Sequence, residues 1–206
     1  MRQGLAGNRG STPSRSMLPL MPAETNDQDL MLRYRNGDAA AFEELYGRHK
    51  GPLYRYLLRQ TGHAANAEEI FQEVWIKVIR SRQRYKPLAK FSTWMYQIAH
   101  NCFIDHVRRQ GRNALEARAG MEPDELMTDY GNPESAAALS QSGQELTQAI
   151  ATLPVEQREA FLLRMEGGFG LKEIASITGT GRETVKSRLR YAMRRLREAL
   201  EDNGHE

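Results

Sequence analysis

The chain has 206 residues, 40% of them hydrophobic and 27% charged, with a formal net charge of +3 and a pI near 9.1. Its one cysteine excludes an internal disulfide, and the sequence holds no apolar run near the ~18 residues that span a bilayer. Length and apolar content fit one domain or two small ones, and we expect two small helical units in a cytosolic protein. The net charge is small although charges of each sign are clustered along the chain. Basic residues are concentrated at 80–84, 108–112 and 186–197, and acidic residues at 116–134.

The first 26 residues are rich in Gly, Ser and Pro, a composition typical of a disordered tail. They lack the ~7–15-residue apolar core of a secretory signal. Met17 and Met21 are alternative starts, and the sequence does not choose between them.

Periodic apolar residues predict four helices over 27–112. The first is short and ends near Asn36-Gly37, after which Asp38 can cap the second. Gly51-Pro52 should bend or interrupt that second helix.

Asn66 and Glu69 resemble a capping box that opens the third helix, whose apolar surface is unusually wide. A loop containing Pro87 separates it from a fourth helix with a strongly basic end. Four residues are predicted to pack the fourth helix against its neighbours: Trp94, Ile98, Phe103 and Val107.

Near the C-terminus the sequence has the anatomy of a helix-turn-helix. Ile174 and Ile177 give a short first helix an apolar face, and Gly179 fits the tight turn that follows. Thr180 and Glu183 form a T-x-x-E capping box at the start of a second helix. One face of that second helix is apolar and another is basic: Val185, Leu189, Ala192, Leu196 and Leu200 against Lys186, Arg190, Arg194 and Arg197. This pattern indicates that one face packs while the other meets phosphate.

Four segments together resemble a bacterial RNA polymerase sigma factor of the extracytoplasmic-function (ECF) group of the sigma-70 family: DLMLRYRNGDAAAFEELYGRHKGPLYRYLL, AEEIFQEVWIKVI, FSTWMYQIAHNCFIDHVRR and TLPVEQREAFLLRMEGGFGLKEIASITGTGRETVKSRLRYAMRRLR. The resemblance implies an all-α fold of two small helical domains. Sigma domain 2 would occupy 27–112 and the helix-turn-helix sigma domain 4 would occupy 136–202, joined by a flexible acidic linker at 113–135. The family's linker threads toward the polymerase active site, although a plain spacer fits this sequence equally well.

In the family, the second helix of the helix-turn-helix reads the minus-35 promoter element in the major groove. The resemblance carries this role to Arg182, Thr184, Lys186, Ser187, Arg190, Tyr191 and Arg194. A basic helix that merely faces solvent is the alternative. The chain departs from the commonest family pattern at Glu183, where many members have glycine, and this places a carboxylate near DNA.

The stretch 82–101 matches the family segment that opens the minus-ten element and captures an extruded base. Cations there suit phosphates, and aromatic rings can stack on an unpaired base for roughly 1–3 kcal/mol per base. The candidates are Arg84, Tyr85, Lys90, Phe91, Trp94, Asn101, Arg108 and Arg109. Asn101 matches a family position that contacts the captured base, whereas Trp94 fits a core position as well as a stacking one.

The family helix that matches 68–79 docks on a coiled coil of the polymerase beta-prime subunit. Candidate polymerase-binding residues are Glu69, Gln72, Glu73, Trp75 and Ile76. An ordinary core helix with an acidic, solvated edge is the alternative. The resemblance also implies contact with the polymerase beta flap and control by an anti-sigma factor.

His100, Asp105 and His106 invite a metal site, but no second cluster with ligand spacing accompanies them. The common catalytic motifs are missing from the sequence, so we expect neither an enzyme nor a cofactor. The sequence therefore predicts a promoter-specificity factor that binds core polymerase and promoter DNA. A stand-alone helix-turn-helix regulator and a pure interaction protein are the other hypotheses.

Overall fold

The computed structural model describes residues 25–118 and 141–202, with side chains described over 25–112 and 143–201. The predicted all-α fold is confirmed: these residues form α-helices and one short 3-10 helix. The helices are α1 (Asp27–Arg35), α2 (Ala39–Thr61), α3 (Ala64–Ser81), the 3-10 helix (Arg82–Arg84), α4 (Phe91–Arg118), α5 (Gln141–Ala151), α6 (Val155–Met165), α7 (Leu171–Thr178) and α8 (Arg182–Asp202). No helix within this part of the chain has the length and apolar character needed to cross a membrane. The predicted tail, apart from its last two residues, and most of the predicted linker lie outside the described residues.

The first helical unit contains α1 to α4. Asn26 caps α1, its side chain accepting a 2.9 Å hydrogen bond from the Asp29 N–H. Asp38 caps α2 as the sequence predicts, accepting from the Ala41 N–H at 3.3 Å. All four helices contribute to one apolar core, which includes Leu30, Leu45, Leu53, Val78, Met95 and Phe103. Val107, predicted to pack, is instead 43% exposed on the basic end of α4.

The sequence predicts that Gly51-Pro52 bends or interrupts α2, and the interruption does not occur. The helix continues through these two residues, with Leu45 before them and Leu57 after them both fully buried. Tertiary packing on both sides of Pro52 outweighs the lost backbone hydrogen bond, which costs about 3 kcal/mol. The helix α3 begins at Ala64, so the predicted capping box at Asn66 lies inside the helix.

The second helical unit contains α5 to α8. Its helix-turn-helix is present where the sequence predicts it, with α7, a turn at Gly179 and α8. The capping box predicted from Thr180 is not formed, because α8 begins at Arg182 and Gly181 occupies the position directly before it. The Thr180 hydroxyl lies 3.0 Å from Oγ1 of Thr178. The reciprocal glutamate contact is found one helix earlier, where Oε2 of Glu173 accepts from the Gly170 N–H at 2.8 Å.

The two units pack directly against each other. The helix α2 contacts α5 and α6, and α4 contacts α7. Phe169, in the glycine-rich turn between α6 and α7, is 3% exposed and meets Tyr96 of α4 edge to face at 4.9 Å between ring centroids. Because both rings are apolar and buried, their contact anchors the second unit on the first.

Candidate nucleic-acid interface

The turn between α7 and α8 fixes the angle at which α8 leaves the second unit. Gly179 has a φ of 63°, in the left-handed region that glycine adopts without strain. The Thr180 N–H then donates to the Ala175 carbonyl at 3.0 Å and closes the turn. Ile174 and Val185 are both fully buried and hold the two helices together. The opposite face of α8 is thereby directed away from the core.

Most of the residues predicted to read the minus-35 element share the exposed side of α8. Arg182, Thr184, Lys186, Arg190, Tyr191 and Arg194 are exposed, and Ser187 is half-buried. The centroid of the Tyr191 ring lies 5.0 Å from the guanidinium of Arg190 and 5.4 Å from that of Arg194. Cation–π contacts of this length hold both arginines beside an exposed aromatic ring. The structure therefore brings together positive charge and a planar side chain on one helix face.

Two glutamates on α8 pair only loosely with the cations of this face. Glu183 lies 3.8 Å from the Lys186 ammonium, and Glu198 lies 3.6 Å from the Arg194 guanidinium. All four side chains are more than half exposed. Exposed pairs of this kind contribute little stability, so a phosphate can displace the carboxylates at small cost.

The predicted minus-ten residues divide into exposed polar groups and buried rings. Arg84, Lys90, Asn101, Arg108 and Arg109 are exposed. Tyr85 is 2% exposed and Phe91 is fully buried, while Trp94 is half-buried and meets Tyr85 edge to face at 5.0 Å. The prediction that Tyr85 and Phe91 present aromatic faces to a base does not fit this arrangement.

Packing explains why these two rings are buried. The Phe91 ring meets the His49 imidazole of α2 at 5.2 Å and the Tyr85 ring at 6.3 Å between centroids. The Tyr85 carbonyl also accepts a 3.4 Å hydrogen bond from Arg35 of α1. These contacts fix both ends of the loop between α3 and α4. Between these ends the loop itself is exposed, and Leu88 at its tip is 89% exposed.

The predicted polymerase-binding residues lie on α3. Glu69, Gln72 and Ile76 are exposed, Ile76 to 45%, and Glu73 is half-buried. Trp75 is only 5% exposed, because its ring packs against Tyr46 at 4.9 Å, so it belongs to the core rather than the docking surface.

The acidic edge of α3 is paired with cations of its own unit. Burial raises the pKa of Glu73, but Lys77 at 2.9 Å and Arg109 at 3.3 Å outweigh burial and lower that pKa below its ordinary value. Arg109 also lies 3.5 Å from Glu69. This cation, predicted to meet DNA, is therefore held against α3.

Two family profiles match the chain. The profile described as Sigma-70 region 2 matches residues 45–113, and the profile described as Sigma-70, region 4 matches residues 143–196. The RNA polymerase sigma factor CarQ of Myxococcus xanthus is 32% identical over 173 residues, a match that covers 82% of this chain and 95% of that relative. The chain belongs to the sigma-70 family of RNA polymerase sigma factors. It is a sigma factor of the ECF group, a promoter-specificity factor for transcription initiation.

A second relative and one solved structure agree with this assignment. The sigma factor is 35% identical over 173 residues to the ECF RNA polymerase sigma factor SigE of Mycolicibacterium smegmatis, covering 82% of this chain and 66% of that relative. It resembles the sigma factor RpoE of Bartonella quintana, solved in complex with the anti-sigma factor NepR, with a TM-score of 0.65 at 23% identity. That alignment covers 78% of this chain and 96% of the other, and it supports the fold alone.

The side chains that invited a metal site in this sigma factor point to separate partners. His100 Nδ1 lies 2.6 Å from a Glu159 carboxylate oxygen, while His106 Nε2 lies 2.9 Å from the Gln110 amide. Among the side chains described, those of residues 25–112 and 143–201, there is no group of three His, Cys, Asp or Glu suited to a metal ion.

Sequence reasoning missed the residues that join the two units of the sigma factor. Gln97 Nε2 donates to the carbonyl and the hydroxyl of Ser176, at 3.0 Å each. Tyr56 and Glu159 meet across the same interface. In the sequence, Glu159, Glu166 and Glu173 recur at a spacing of seven residues. This spacing indicates a repeated carboxylate but does not indicate which residues the carboxylates contact.

Proposed function

We propose that this sigma factor reads the minus-35 element with the exposed face of α8. The observation that carries the proposal is the exposed Tyr191 ring in contact with both Arg190 and Arg194 on the second helix of a helix-turn-helix. Arginine forks suit the major-groove edge of guanine, and the tyrosine ring adds apolar contact with a neighbouring base. Lys186 and Arg182 supply charge for the flanking phosphates.

In the same proposal, the first unit recognises and opens the minus-ten element. Arg84, Lys90 and Arg108 are exposed and can neutralise phosphates of a separated strand. Asn101 is exposed on α4, where its amide can hydrogen-bond an unpaired base. Trp94 remains the one ring of the predicted set with a partly open face. This division of labour corresponds to domains at 27–112 and 136–202.

We assign core polymerase docking to the exposed part of α3, with Ile76 as its apolar centre and Glu69 and Gln72 beside it. An exposed isoleucine flanked by polar residues suits contact with a coiled coil, since a few apolar residues dominate such interfaces. The names of the relatives, RNA polymerase sigma factors, support the partner class. We further propose contact with the polymerase beta flap, an anti-sigma factor as regulator, and action in the cytoplasm as a binding protein without catalysis or cofactor.

The test is to add the purified protein to core polymerase and to sequence the transcripts started on fragmented genomic DNA of its source. New start sites that share two upstream motifs are expected. The matched variant Arg190→Ala should lose the starts that depend on the upstream motif, while Arg195→Ala, an exposed arginine elsewhere on α8, should keep them. Duplex binding without any polymerase-dependent initiation would instead support a stand-alone regulator.

A further inference from the structure

Three carboxylates of the second unit reach groups of the first unit. Glu166, the residue directly after α6, pairs with Arg59 and, at 3.5 Å, with Arg55 of α2. Glu173 of α7 lies 3.1 Å from the Lys90 ammonium. The third carboxylate, Glu159, differs from these two because its side chain is only 3% exposed. The interface is thus complementary in charge, with acidic groups on one unit facing cations and proton donors on the other.

Glu159 receives two hydrogen-bonding partners from the first unit. Its Oε1 accepts from the Tyr56 hydroxyl at 3.2 Å and lies 2.6 Å from Nδ1 of His100. Burial, together with the negative charge of Glu159, raises the pKa of Tyr56 well above its ordinary value, so this hydroxyl keeps its proton and donates. A buried carboxylate without partners is strongly destabilising. Tyr56 and His100 both belong to the first unit, so Glu159 has these partners only while the two units are together.

This closed arrangement is incompatible with reading both promoter elements. The element names place their centres about 25 base pairs apart, which is ~85 Å of B-form DNA at 3.4 Å per base pair. In the structure Lys90, a predicted minus-ten residue, forms an ion pair with α7, the first helix of the helix-turn-helix. Gln97 on α4 is likewise bonded to Ser176 of α7. The two units must separate before each can lie on its own element.

The same interface contains groups that favour its release. Gln60 lies at the interface, since its backbone carbonyl accepts a hydrogen bond from Arg158 of the second unit. Both polar atoms of its side chain are buried without a hydrogen-bond partner among the described residues. The Tyr96 hydroxyl, beside Phe169, is also buried and unpartnered there. A buried polar group without a hydrogen-bond partner costs about 1–3 kcal/mol. Wherever separation of the units exposes one of these groups to water, that cost is removed and the open arrangement is favoured.

We infer that the sigma factor closes on itself through a latch formed by Glu159, Tyr56 and His100, and that this closure limits its activity without any second protein. The inference rests on the proposed function, because the limited activity is promoter initiation. Closure reduces the fraction of molecules ready to engage polymerase and both elements, and apparent affinity falls by that fraction. An anti-sigma factor would then act on a molecule that already favours the closed state.

The first arm of the test measures the distance between the units in the free protein. Glu43→Cys on α2 and Arg195→Cys on α8 place spin labels at exposed positions, while the native Cys102 is buried and should not react. The wild-type background should give one narrow, short distance distribution. Glu159→Ala should broaden and lengthen it, whereas Glu156→Ala, an exposed glutamate on the same helix, should leave it unchanged. A broad distribution in the wild type, or a narrow one in Glu159→Ala, overturns the latch.

A folding control keeps this arm decisive. Circular dichroism shows whether Glu159→Ala keeps its helix content. If that variant does not fold, the double variant Tyr56→Phe and His100→Gln is used instead, because it weakens the same contacts of Glu159 from the side of the first unit. Under the inference this double variant keeps its helix content and loses the narrow distribution. Retention of the narrow distribution counts against the latch.

The second arm measures initiation with core polymerase at limiting sigma concentration. Glu159→Ala should lower the concentration for half-maximal transcript by on the order of tenfold, the factor that one hydrogen bond to a charged group contributes. If the first arm confirms the closed state but Glu159→Ala leaves the concentration for half-maximal transcript unchanged, the units close as inferred and closure does not limit initiation. Absence of all transcripts from the wild type counts against the proposed function and leaves the distance result standing.

Discussion

Nη1 of Arg158 donates a 3.1 Å hydrogen bond to the backbone carbonyl of Gln60, near the end of α2 in the other unit. Nη2 of the same guanidinium donates to the carbonyls of Ala151 and Leu153, at 3.0 Å each. The side chain is buried, at 4% residue exposure. One cation therefore satisfies two carbonyls at the turn between α5 and α6 and one carbonyl near the end of α2, which fixes that turn against the first unit.

We expect Arg158→Lys to lower the free energy of unfolding by about 2 kcal/mol, because an ammonium cannot reproduce the planar fork and leaves a buried carbonyl unpaired. Urea titration followed by circular dichroism measures this loss. Arg195→Lys on the exposed side of α8 should change the same quantity by less than about 0.5 kcal/mol. Equal effects of the two substitutions contradict the assigned role of Arg158.

The turn of the helix-turn-helix offers a matched pair of glycines. Gly179 has φ 63° and an added Cβ would meet no atom within 4 Å, so Gly179→Ala should cost about 1–2 kcal/mol through backbone strain alone. Gly47 lies within α2 with equally open space, so Gly47→Ala should stabilise the protein by about 0.5–1 kcal/mol. Thermal unfolding of both variants gives the comparison, and a shift of the same sign in both is the contrary result.

The exposed face of α8 makes a quantitative prediction about DNA. Arg190→Ala should weaken binding to a minus-35 duplex by roughly tenfold, since one good arginine contact to a base is worth about 1–3 kcal/mol. Fluorescence anisotropy at several salt concentrations measures the affinity and its salt dependence. Lys186→Ala should weaken all duplexes alike and reduce the salt slope by about 1 if this lysine binds phosphate. Sequence-independent loss in both variants would argue for a purely electrostatic surface.

The docking surface on α3 is tested with two exposed apolar residues. Ile76→Asp should reduce affinity for core polymerase by at least about tenfold, because it places a charge at the proposed apolar centre. Leu88→Asp, at the exposed tip of the loop before α4, should leave that affinity unchanged. Binding of labelled core polymerase to each variant measures the difference. Should Ile76→Asp bind like the wild type, the contact lies elsewhere on the first unit.

Glu173 gives the stability of the sigma factor a pH dependence of defined sign. The hydrogen bond from the Gly170 N–H, followed by the Lys90 ammonium, lowers the pKa of Glu173 below its ordinary 4.5. A lowered folded-state pKa adds stability above pH 4.5 that disappears as the pH falls through the folded-state value. Glu173→Ala should therefore cost about 1 kcal/mol at neutral pH, the size of a helix-cap interaction, and less at pH 3.

Urea titrations of wild type and Glu173→Ala at both pH values measure this difference. Glu183→Ala is the control, because that side chain is 84% exposed and has only a loose contact with Lys186. A difference that stays constant between the two pH values would assign the effect of Glu173 to something other than its charge.

Much of the fold follows from local signals in the sequence. Asp38 and Gly179 mark a helix start and a turn because a cap and a left-handed residue depend on neighbours a few positions away. The sequence does not show that α2 runs uninterrupted through Pro52, because the burial that keeps the helix continuous comes from other helices. Local patterns therefore predict where helices begin and end, except where tertiary packing outweighs them.

The candidate site was predicted less completely for the same physical reason. The face of α8 is a property of a single helix, so helical spacing was enough to find it. Whether Tyr85 and Phe91 are exposed depends on how α1 and α2 pack beneath the loop, which spacing does not reveal. The contact of His100 with Glu159 joins residues 59 positions apart, and no single-helix pattern reports it.

The residues that hold the two units together are largely different from those predicted to contact DNA. Glu159 and Arg158 lie on α6, whereas the basic face belongs to α8. After gene duplication, substitutions on α8 could therefore change the target genes of one copy without changing the equilibrium between its closed and open arrangements. Lys90 is the exception, because a substitution there would change both traits at once.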